Sequence, residues 1–289
     1  MKDNSSTIVE NGKDATIAAI PCYVPCGLEL NKIYNESNLD TMKRMPDNFV
    51  DLTVTSPPYD NLRDYKGYSF PFEDIAKELY RVTKQGGVVV WVVGDSVIDG
   101  SESGTSFKQA LHFKEIGFNL HDTMIYQKDV MPFPEQTRYN QCFEYMFVLS
   151  KGKPKTFNAI KEKTQGYKPS KSSTTRNADG ETVGLKYEQG KDERSLFNIW
   201  KFGCGFNKTT NDLVAFEHPA MFPEELAKRH IYSWSNEGDL VYDCFGGSGT
   251  VAKMAHLQKR NWILSEISSE YVQIAEKRIA PYLAQTSLF

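Results

Sequence analysis

A glycine-rich sequence near the carboxyl end of the chain has residue types and spacing that could bind a cofactor. Asp-Cys-Phe-Gly-Gly-Ser-Gly-Thr, at residues 243–250, follows an apolar run at 240–245 and precedes a helical stretch at 251–257. Glycines between a strand and a helix let the backbone turn tightly and let a ligand approach the helix N-terminus. No Gly-Lys-Ser/Thr follows, so the sequence is not a P-loop.

Two further features indicate which ligand such a turn would take. Gly247, Gly249 and Ala252 have the G-x-G-x-x-A spacing of dinucleotide sites. Glu266 ends the next apolar run, where an acid would bind ribose hydroxyl groups. The pattern therefore predicts a nucleoside cofactor in an open α/β sheet. By itself it fits NAD and S-adenosylmethionine equally, and a glycine turn without any ligand is the remaining alternative.

A second reactive sequence, Thr-Ser-Pro-Pro-Tyr at residues 55–59, ends an apolar run at 50–55. Pro57 and Pro58 have no backbone N–H and a fixed φ, so the turn is stiff and its carbonyl groups point outward. The Ser56 oxygen and the Pro57 carbonyl could accept hydrogen bonds from an amino group, and Tyr59 offers a flat face for stacking. The alternative is a rigid strand-end turn with Tyr59 in the core.

The elements that must position these two turns alternate between apolar strands and helices. Strands are predicted at 50–55, 88–93, 123–127, 145–149, 240–245 and 262–266. Helices are predicted at 72–82, 107–116, 223–231, 251–257 and 271–283, and a turn at 85–87. Strands that alternate with helices indicate an α/β domain with a largely parallel sheet.

This alternation stops between residues 151 and about 193, which predicts a long insert or a mobile loop. Residues 151–208 carry 13 Lys and Arg against 6 Asp and Glu, a local charge of +7, while the remainder carries 21 against 31. A basic segment on an acidic body suits a polyanionic partner, and a solvated lysine-rich loop is the alternative. Of its aromatic residues, Phe197 and Trp200 are predicted to lie in the core.

The two turns, in this order, resemble the β-class of DNA amino-methyltransferases, in which the catalytic half precedes the cofactor half. Residues 143–151, 218–226 and 266–271 also resemble motifs of that family, and the resemblance covers most of 31–150 and 216–282. One stretch departs from it: where the family often has Asp-Cys-Leu, this chain has Glu36-Ser37-Asn38-Leu39. Ser37 or Asn38 would then contact the adenine edge of the cofactor.

The resemblance implies a Rossmann-like S-adenosylmethionine-dependent methyltransferase fold, an α/β fold with a mostly parallel sheet, helices on both faces and a small target-recognition insert. It divides the chain into a polar N-terminal arm (1–22), a catalytic half (23–150), a basic target-recognition insert (151–215) and a cofactor-binding half (216–289). The implied activity is methyl transfer, in a restriction-modification context, to the exocyclic amino group of a flipped base in double-stranded DNA.

The resemblance also assigns roles to individual residues. The catalytic turn would consist of Ser56, Pro57, Pro58 and Tyr59. The cofactor contacts would be Thr55, Ser37, Asn38, Phe222, Pro223, Asp243, Phe245, Gly246, Gly247, Ser248, Gly249, Thr250 and Glu266. DNA phosphates would be bound by Lys168, Lys171 and Arg176. In the family, Ser at the position of Ser56 favours cytosine N4 as the target, with adenine N6 as the alternative.

Composition limits the remaining classes. The chain is 40% hydrophobic and 25% charged, as in ordinary globular proteins, and no apolar run is long enough to span a bilayer. The N-terminal sequence does not have the pattern of a signal peptide, and five scattered cysteines suit reduced thiols, so a cytoplasmic location is expected. Cys22 and Cys26 have no second ligand pair, so no metal site is expected.

Further partners and rival functions stay open. The final residues Gln285, Leu288 and Phe289 resemble peptides that dock on the bacterial sliding clamp, and a frayed helix end is the alternative. A homodimer is expected because a short recognition region contacts little DNA on its own. The rivals to DNA methylation are an NAD-dependent oxidoreductase, a catalytically inactive DNA-binding protein and an RNA methyltransferase.

Overall fold

The computed structural model describes residues 27–58, 70–129, 137–163, 173–185, 192–205, 208–218, 221 and 223–284. The strands are β1 (Lys32–Tyr34), β2 (Val50–Thr55), β3 (Thr83–Val93), β4 (Val97–Ile98), β5 (Ser101–Glu102), β6 (Asn119–Lys128), β7 (Phe143–Ser150), β8 (Lys161–Lys163), β9 (Ser173–Arg176), β10 (Thr182–Leu185), β11 (Glu193–Ser195), β12 (Ile199–Phe202), β13 (Leu240–Asp243) and β14 (Asn261–Ser265). The helices are α1 (Asn38–Arg44), α2 (Phe72–Val82), α3 (Thr105–Glu115), α4 (Glu224–Trp234), α5 (Thr250–Leu257) and α6 (Ser269–Ala284), with a 3-10 helix at Leu213–Glu217.

Eight strands form one sheet in the order β1-β14-β13-β2-β3-β7-β6-β12. Every neighbouring pair is parallel except those made by β7, which runs antiparallel to β3 and β6. The expected mostly parallel α/β sheet is therefore confirmed. Because β2 and β13 are parallel neighbours, the two turns that follow them lie at the same edge of the sheet.

Both faces of this sheet are covered, which explains the unbroken apolar run in β3. Val88, Val90 and Val92 face a core layer that includes residues of α4 and α5, whereas Val89 and Trp91 face a layer that includes residues of α2 and α3. A strand covered on both faces has no polar side to alternate with its apolar side. The arrangement buries most of β2, β3 and β13.

The Gln-Gly-Gly sequence predicts a turn at residues 85–87, and that prediction is wrong. β3 begins at Thr83 and runs through these residues, with a register shift against β2. Gly86 has a φ of +81°, and its N–H donates to the Lys151 carbonyl at 2.7 Å. Gly86 and Gly87 therefore form an irregular part of β3. Hydrogen bonds to Lys151, directly after β7, keep them in the sheet.

The basic segment is partly folded where an insert or mobile loop was predicted. β8 pairs with β11 and β9 with β10, both antiparallel, while β12 joins the main sheet beside β6. The segment 151–215 is therefore not separate from the sheet. Trp200 is buried as predicted, but Phe197 is 65% exposed, and the prediction that it lies in the core is wrong. Phe197 precedes β12, the strand in which Trp200 faces inward. The Arg194 guanidinium lies 4.6 Å from the centroid of the Phe197 ring.

Candidate active site

The ends of β2 and β13 are joined by a side-chain hydrogen bond. Thr55, the last residue of β2, donates from Oγ1 to Oδ1 of Asp243, the last residue of β13, at 2.7 Å. Both side chains are buried. The same Oδ1 accepts the backbone N–H of Phe245 at 3.1 Å. The predicted catalytic and cofactor sequences, far apart in the chain, are thus brought into one site.

Close packing explains why glycines form the turn after β13. A Cβ at Gly246 would lie 1.9 Å from Cδ2 and 2.2 Å from Cγ of Leu264, so no side chain fits there. Gly249, at the N-cap of α5, has a φ of +77° and would meet Ala275 at 3.0 Å. The backbone of the turn therefore lies directly against β14 and α6.

Glu266 follows β14 and faces the same turn. Its Oε2 accepts the Gly247 N–H at 2.8 Å, and its Oε1 accepts the Ser268 N–H at 2.8 Å. Burial raises the pKa of this carboxyl group, and the backbone hydrogen bonds act against that rise. Each carboxylate oxygen has a second lone pair, so Glu266 can still accept ribose hydroxyl groups.

Asp243 is an ionisable group in an apolar setting. Burial raises its pKa to about 7, although the hydrogen bonds from Thr55 and the Phe245 N–H favour the charged form. The nearby Glu266 carboxylate raises the pKa further. Titration of Asp243 therefore falls near neutral pH, and its charge is sensitive to whatever binds at the turn.

Asn38 supplies an observation that fits a nucleoside cofactor. It is the first residue of α1 and is 4% exposed; its Nδ2 donates to the Cys244 carbonyl at 3.0 Å. Its Oδ1 is buried and has no hydrogen-bond partner among the described residues. A buried acceptor without a donor is costly, and the exocyclic amino group of adenine would satisfy it. Ser37, the N-cap of α1, makes no side-chain capping bond.

Phe245 forms the aromatic side of the turn. Its ring lies 5.7 Å from Phe70 and 6.2 Å from Trp91, both at steep angles. Trp91 is fully buried in β3 and donates from Nε1 to the Gln109 side chain at 2.8 Å. Through these edge-on contacts the Phe245 ring packs against Trp91 of β3.

The other predicted residues divide between those the structure describes and those it does not. Ser56 and Pro58 are half-buried and Pro57 is buried directly after β2, and Pro223 is the buried N-cap of α4. Arg176 is exposed on β9. Outside the described residues lie Tyr59, Phe222, Lys168, Lys171, Gln285, Leu288 and Phe289.

Arg278 contacts the glycine turn, although the motifs of the sequence do not point to it. This buried arginine of α6 donates from Nη1 to Ser248 Oγ and to Thr250 Oγ1, so both hydroxyl groups of the turn face α6. A signal was present: Val272, Ala275 and Ile279 make the buried side of α6, and Arg278 falls on it. A charged residue on the apolar side of a helix indicates a buried partner.

Two kinds of feature are absent from the part of the chain that the structure describes. None of its helices is long and apolar enough to cross a membrane. Among the same residues there is no group of three or more His, Cys, Asp or Glu side chains that could hold a metal ion.

An open, mostly parallel sheet with a glycine turn and an acid at neighbouring strand ends defines a nucleoside-cofactor α/β enzyme. The profile of the DNA methylase family of N6 and N4 methyltransferases matches residues 50–277. The orphan methyltransferase M.BamHII from Bacillus amyloliquefaciens is 58% identical over 238 residues, which are 81% of this chain and 90% of that protein. The type II methyltransferase M.BglII from Bacillus subtilis is 27% identical over 281 residues, 89% of this chain and 71% of that protein.

Solved structures show the same fold. The cytosine-N4-specific PvuII DNA methyltransferase has a TM-score of 0.61 at 20% identity and covers 88% of this chain and 91% of its own. A putative DNA modification methylase from Thermus thermophilus, complexed with S-adenosyl-L-methionine, has a TM-score of 0.60 at 23% identity, with coverage of 89% and 96%.

The chain belongs to the N6/N4 DNA methylase family. It is a DNA methyltransferase, and its cofactor is S-adenosylmethionine. The expected family, fold class and cofactor are confirmed, and the NAD-dependent oxidoreductase is set aside.

Proposed function

We propose that this DNA methyltransferase transfers the methyl group of S-adenosylmethionine to N4 of a cytosine flipped out of duplex DNA. The observation that carries the proposal is Ser56, which lies directly after Thr55 and therefore beside the hydrogen bond from Thr55 to Asp243. Ser56 occupies the first position of the Ser-Pro-Pro-Tyr turn, where serine favours cytosine N4 in the resembling family. Adenine N6 is the other outcome of the test.

The residues of this turn act on the target amino group. An aromatic amino group is a poor nucleophile, because its lone pair is delocalised into the ring. The Ser56 hydroxyl and the Pro57 carbonyl accept hydrogen bonds from the amino hydrogens, which localises the lone pair on nitrogen. Tyr59, outside the described residues, would stack on the flipped base. Ser56 is an acceptor and not a strong base, so the proton leaves after the new C–N bond has formed.

Other residues hold the methyl donor. S-adenosylmethionine, once bound, supplies a methyl group activated by its sulfonium charge. Asn38 Oδ1 accepts from the adenine amino group, and Glu266 accepts from the ribose hydroxyls. Phe245 and Pro223 would form walls of the same pocket, together with Phe222, which lies outside the described residues. Fixing both reactants in reactive geometry can lower the barrier by roughly 7 to 11 kcal/mol, and preorganised acceptors stabilise the positive charge that develops on nitrogen.

The basic segment is the proposed DNA-recognition region, between a catalytic half at 23–150 and a cofactor half at 216–289. Arg176 supports this role, because it is exposed on the β9–β10 hairpin and free to meet a phosphate. Lys168 and Lys171 would add phosphate contacts. Loss of a phosphate contact weakens binding to all DNA sequences by about the same factor. Arg176→Ala should therefore lower the DNA affinity and its salt dependence without changing the target base.

Three further proposals concern partners and place. A homodimer would extend the short recognition region, and sedimentation with and without duplex DNA would detect it.

Gln285, Leu288 and Phe289 would dock on a sliding clamp, and deleting them should abolish clamp binding; unchanged clamp affinity would refute the idea. A cytoplasmic location fits an enzyme that acts on DNA with S-adenosylmethionine.

The deciding experiment identifies the labelled nucleoside. The full chain is incubated with mixed-sequence duplex DNA and methyl-labelled S-adenosylmethionine, and the DNA is digested to nucleosides. Label in N4-methylcytosine supports the proposal, whereas label in N6-methyladenine keeps the mechanism and reverses the choice of base. Label only in a parallel RNA sample, or in no nucleic acid despite cofactor binding, overturns the DNA reaction. The Ser56→Ala variant should bind the cofactor as the wild type does and lose most of the label.

A further inference from the structure

Arg278 lies directly beneath the glycine turn and contacts three atoms of it. Its Nη1 donates to the Ser248 carbonyl at 3.1 Å, to Ser248 Oγ at 3.1 Å and to Thr250 Oγ1 at 2.9 Å. The side chain of Arg278 is completely buried. The N-cap of α5, Gly249, has no side-chain cap, so the guanidinium is the group that fixes the side chains at this helix start.

The other face of the same guanidinium contacts the segment that leaves the basic insert. Nε of Arg278 donates to Asp212 Oδ2 at 2.8 Å, and Nη2 donates to Thr210 Oγ1 at 3.2 Å. Nη2 also donates to Glu224 Oε1 at 2.5 Å, at the start of α4. One buried side chain therefore joins the end of the insert, the start of α4 and the cofactor turn.

The cluster is balanced in charge and satisfied in hydrogen bonds. Lys253 of α5 donates to Asp212 Oδ2 at 2.6 Å and to Glu224 Oε1 at 2.8 Å, so two bases meet two acids. Tyr282 donates to the second oxygen of Asp212 at 3.1 Å. Burial opposes the charge on Asp212, but the hydrogen bonds from Lys253 and Arg278 prevail and lower its pKa to about 2. The two acids and the two bases are therefore held together by charge-assisted hydrogen bonds.

We propose that Arg278 is a positioning residue that sets the glycine turn for S-adenosylmethionine and links it to the segment leaving the DNA-recognition region. The inference rests on the proposed role of residues 151–215 in binding DNA. Arg278 acts through Ser248 and Thr250 and does not touch the reacting atoms. Movement of the recognition region would reach the turn through Asp212 and Arg278, so DNA and cofactor should each change the affinity for the other by the same factor.

Arg260 is a matched control within the same chain. It is also a buried arginine, and it donates from Nε to Ser235 Oγ at 3.1 Å and from Nη2 to the Ser235 carbonyl at 2.7 Å. These contacts lie at the start of β14 and the end of α4, away from the glycine turn. Arg278→Lys and Arg260→Lys both keep the charge and lose the planar fork of donors, so both should lower the melting temperature.

The test measures the dissociation constant of S-adenosylmethionine by calorimetry, with and without duplex DNA, alongside the melting temperature. For Arg278→Lys we expect at least a tenfold weaker cofactor affinity and no further change on adding DNA; for Arg260→Lys, affinity within twofold of the wild type. Equal affinity changes in the two variants would overturn the proposal. Asp212→Asn serves if Arg278→Lys does not fold, and it should weaken affinity about threefold; an unchanged value would refute the link. A wild type that binds cofactor but methylates no DNA would sink the proposed function and leave the turn-positioning role standing.

Discussion

Thr55 and Asp243 are 188 residues apart in the chain, yet the hydroxyl of one donates to the carboxylate of the other at 2.7 Å. Because Thr55 ends β2 directly before the Ser-Pro-Pro-Tyr turn and Asp243 ends β13 at the glycine turn, this hydrogen bond joins the two turns. Thr55→Val keeps the shape of the side chain and removes the donor. We expect a loss of about 1–3 kcal/mol of unfolding free energy and a roughly tenfold weaker affinity for S-adenosylmethionine.

The same strand offers the control for that substitution. Thr53 is completely buried, and its Oγ1 has no hydrogen-bond partner among the described residues. Thr53→Val removes an unsatisfied hydroxyl, so its stability should be unchanged or higher and its cofactor affinity unchanged. Denaturant unfolding and calorimetry on both variants check the pair. Similar losses of stability and cofactor affinity in Thr55→Val and Thr53→Val would show that the Thr55 hydroxyl has no special role.

The raised pKa of Asp243 makes stability depend on pH. Burial brings this pKa to about 7, above the 3.8 of an unperturbed carboxyl group. Between these values the folded protein holds a proton that the unfolded chain has released, so the stabilisation is present below about pH 4 and is lost as the pH rises to 7. The effect is at most on the order of 4 kcal/mol.

Asp243→Asn should flatten this dependence, since Asn does not titrate and its Oδ1 can accept the same two hydrogen bonds. The melting temperature of the wild type should fall more between pH 5 and pH 8 than that of the variant. Glu266, whose pKa burial also raises, contributes a slope of the same sign in both proteins. Parallel curves would contradict the assignment of this titration to Asp243.

Oδ1 of Asn38, which has no hydrogen-bond partner among the described residues, predicts recognition of the adenine amino group. Asn38→Leu should weaken binding of S-adenosylmethionine about tenfold, because the amino group then meets an apolar side chain. An analogue without the amino group should bind the wild type more weakly than S-adenosylmethionine and bind the variant about equally. Ser37→Ala is the neighbouring control and should change neither affinity. If the wild type binds both compounds equally, adenine is recognised elsewhere.

Glu266 has two partners that only a carboxylate can satisfy together. Its oxygens accept from the Gly247 and Ser268 N–H groups, each at 2.8 Å, and Gln offers one oxygen and a donor in place of the other. Glu266→Gln should therefore leave one N–H unpaired and weaken cofactor affinity roughly ten- to hundredfold, as calorimetry would measure. Glu237→Gln, an exposed acid 3.7 Å from Lys259, should have no effect. Retained affinity in Glu266→Gln would exclude a role in cofactor binding.

Features that depend on residues close together in the sequence were predictable, whereas contacts between residues far apart in the chain were not. The strand at 50–55 and the helix at 72–82 have the predicted ends, since each is bounded by its own apolar pattern and flanking prolines. The glycine turn was also predictable, because its spacing is local. Arg278 was not assigned a role, because its partners Asp212 and Glu224 lie 66 and 54 residues away and only folding brings them together.

Side-chain direction was the second limit. The sequence leaves Ser37 and Asn38 equally able to reach the adenine edge, and in the structure Asn38 is the one that is buried and donates a hydrogen bond to the Cys244 carbonyl. Phe197 is an aromatic residue of the kind that usually lies in a core. It precedes β12, the strand in which Trp200 faces inward, and it is exposed. In both cases the direction of the side chain decides its environment, and the hydrophobic pattern does not resolve that direction.

The order of strands in the sheet also has a consequence for synthesis on the ribosome. β2 emerges early and β13 late, and 188 residues separate Thr55 from Asp243. At ~5–20 residues per second, the partner strand arrives roughly 10 to 40 seconds afterwards. During that interval one edge of β2 is an unpaired template for aggregation, which makes the nascent chain a candidate for chaperone binding. In a chain that ends before residue 240, the turn at residues 55–59 would be present and the glycine turn at 243–250 would be missing.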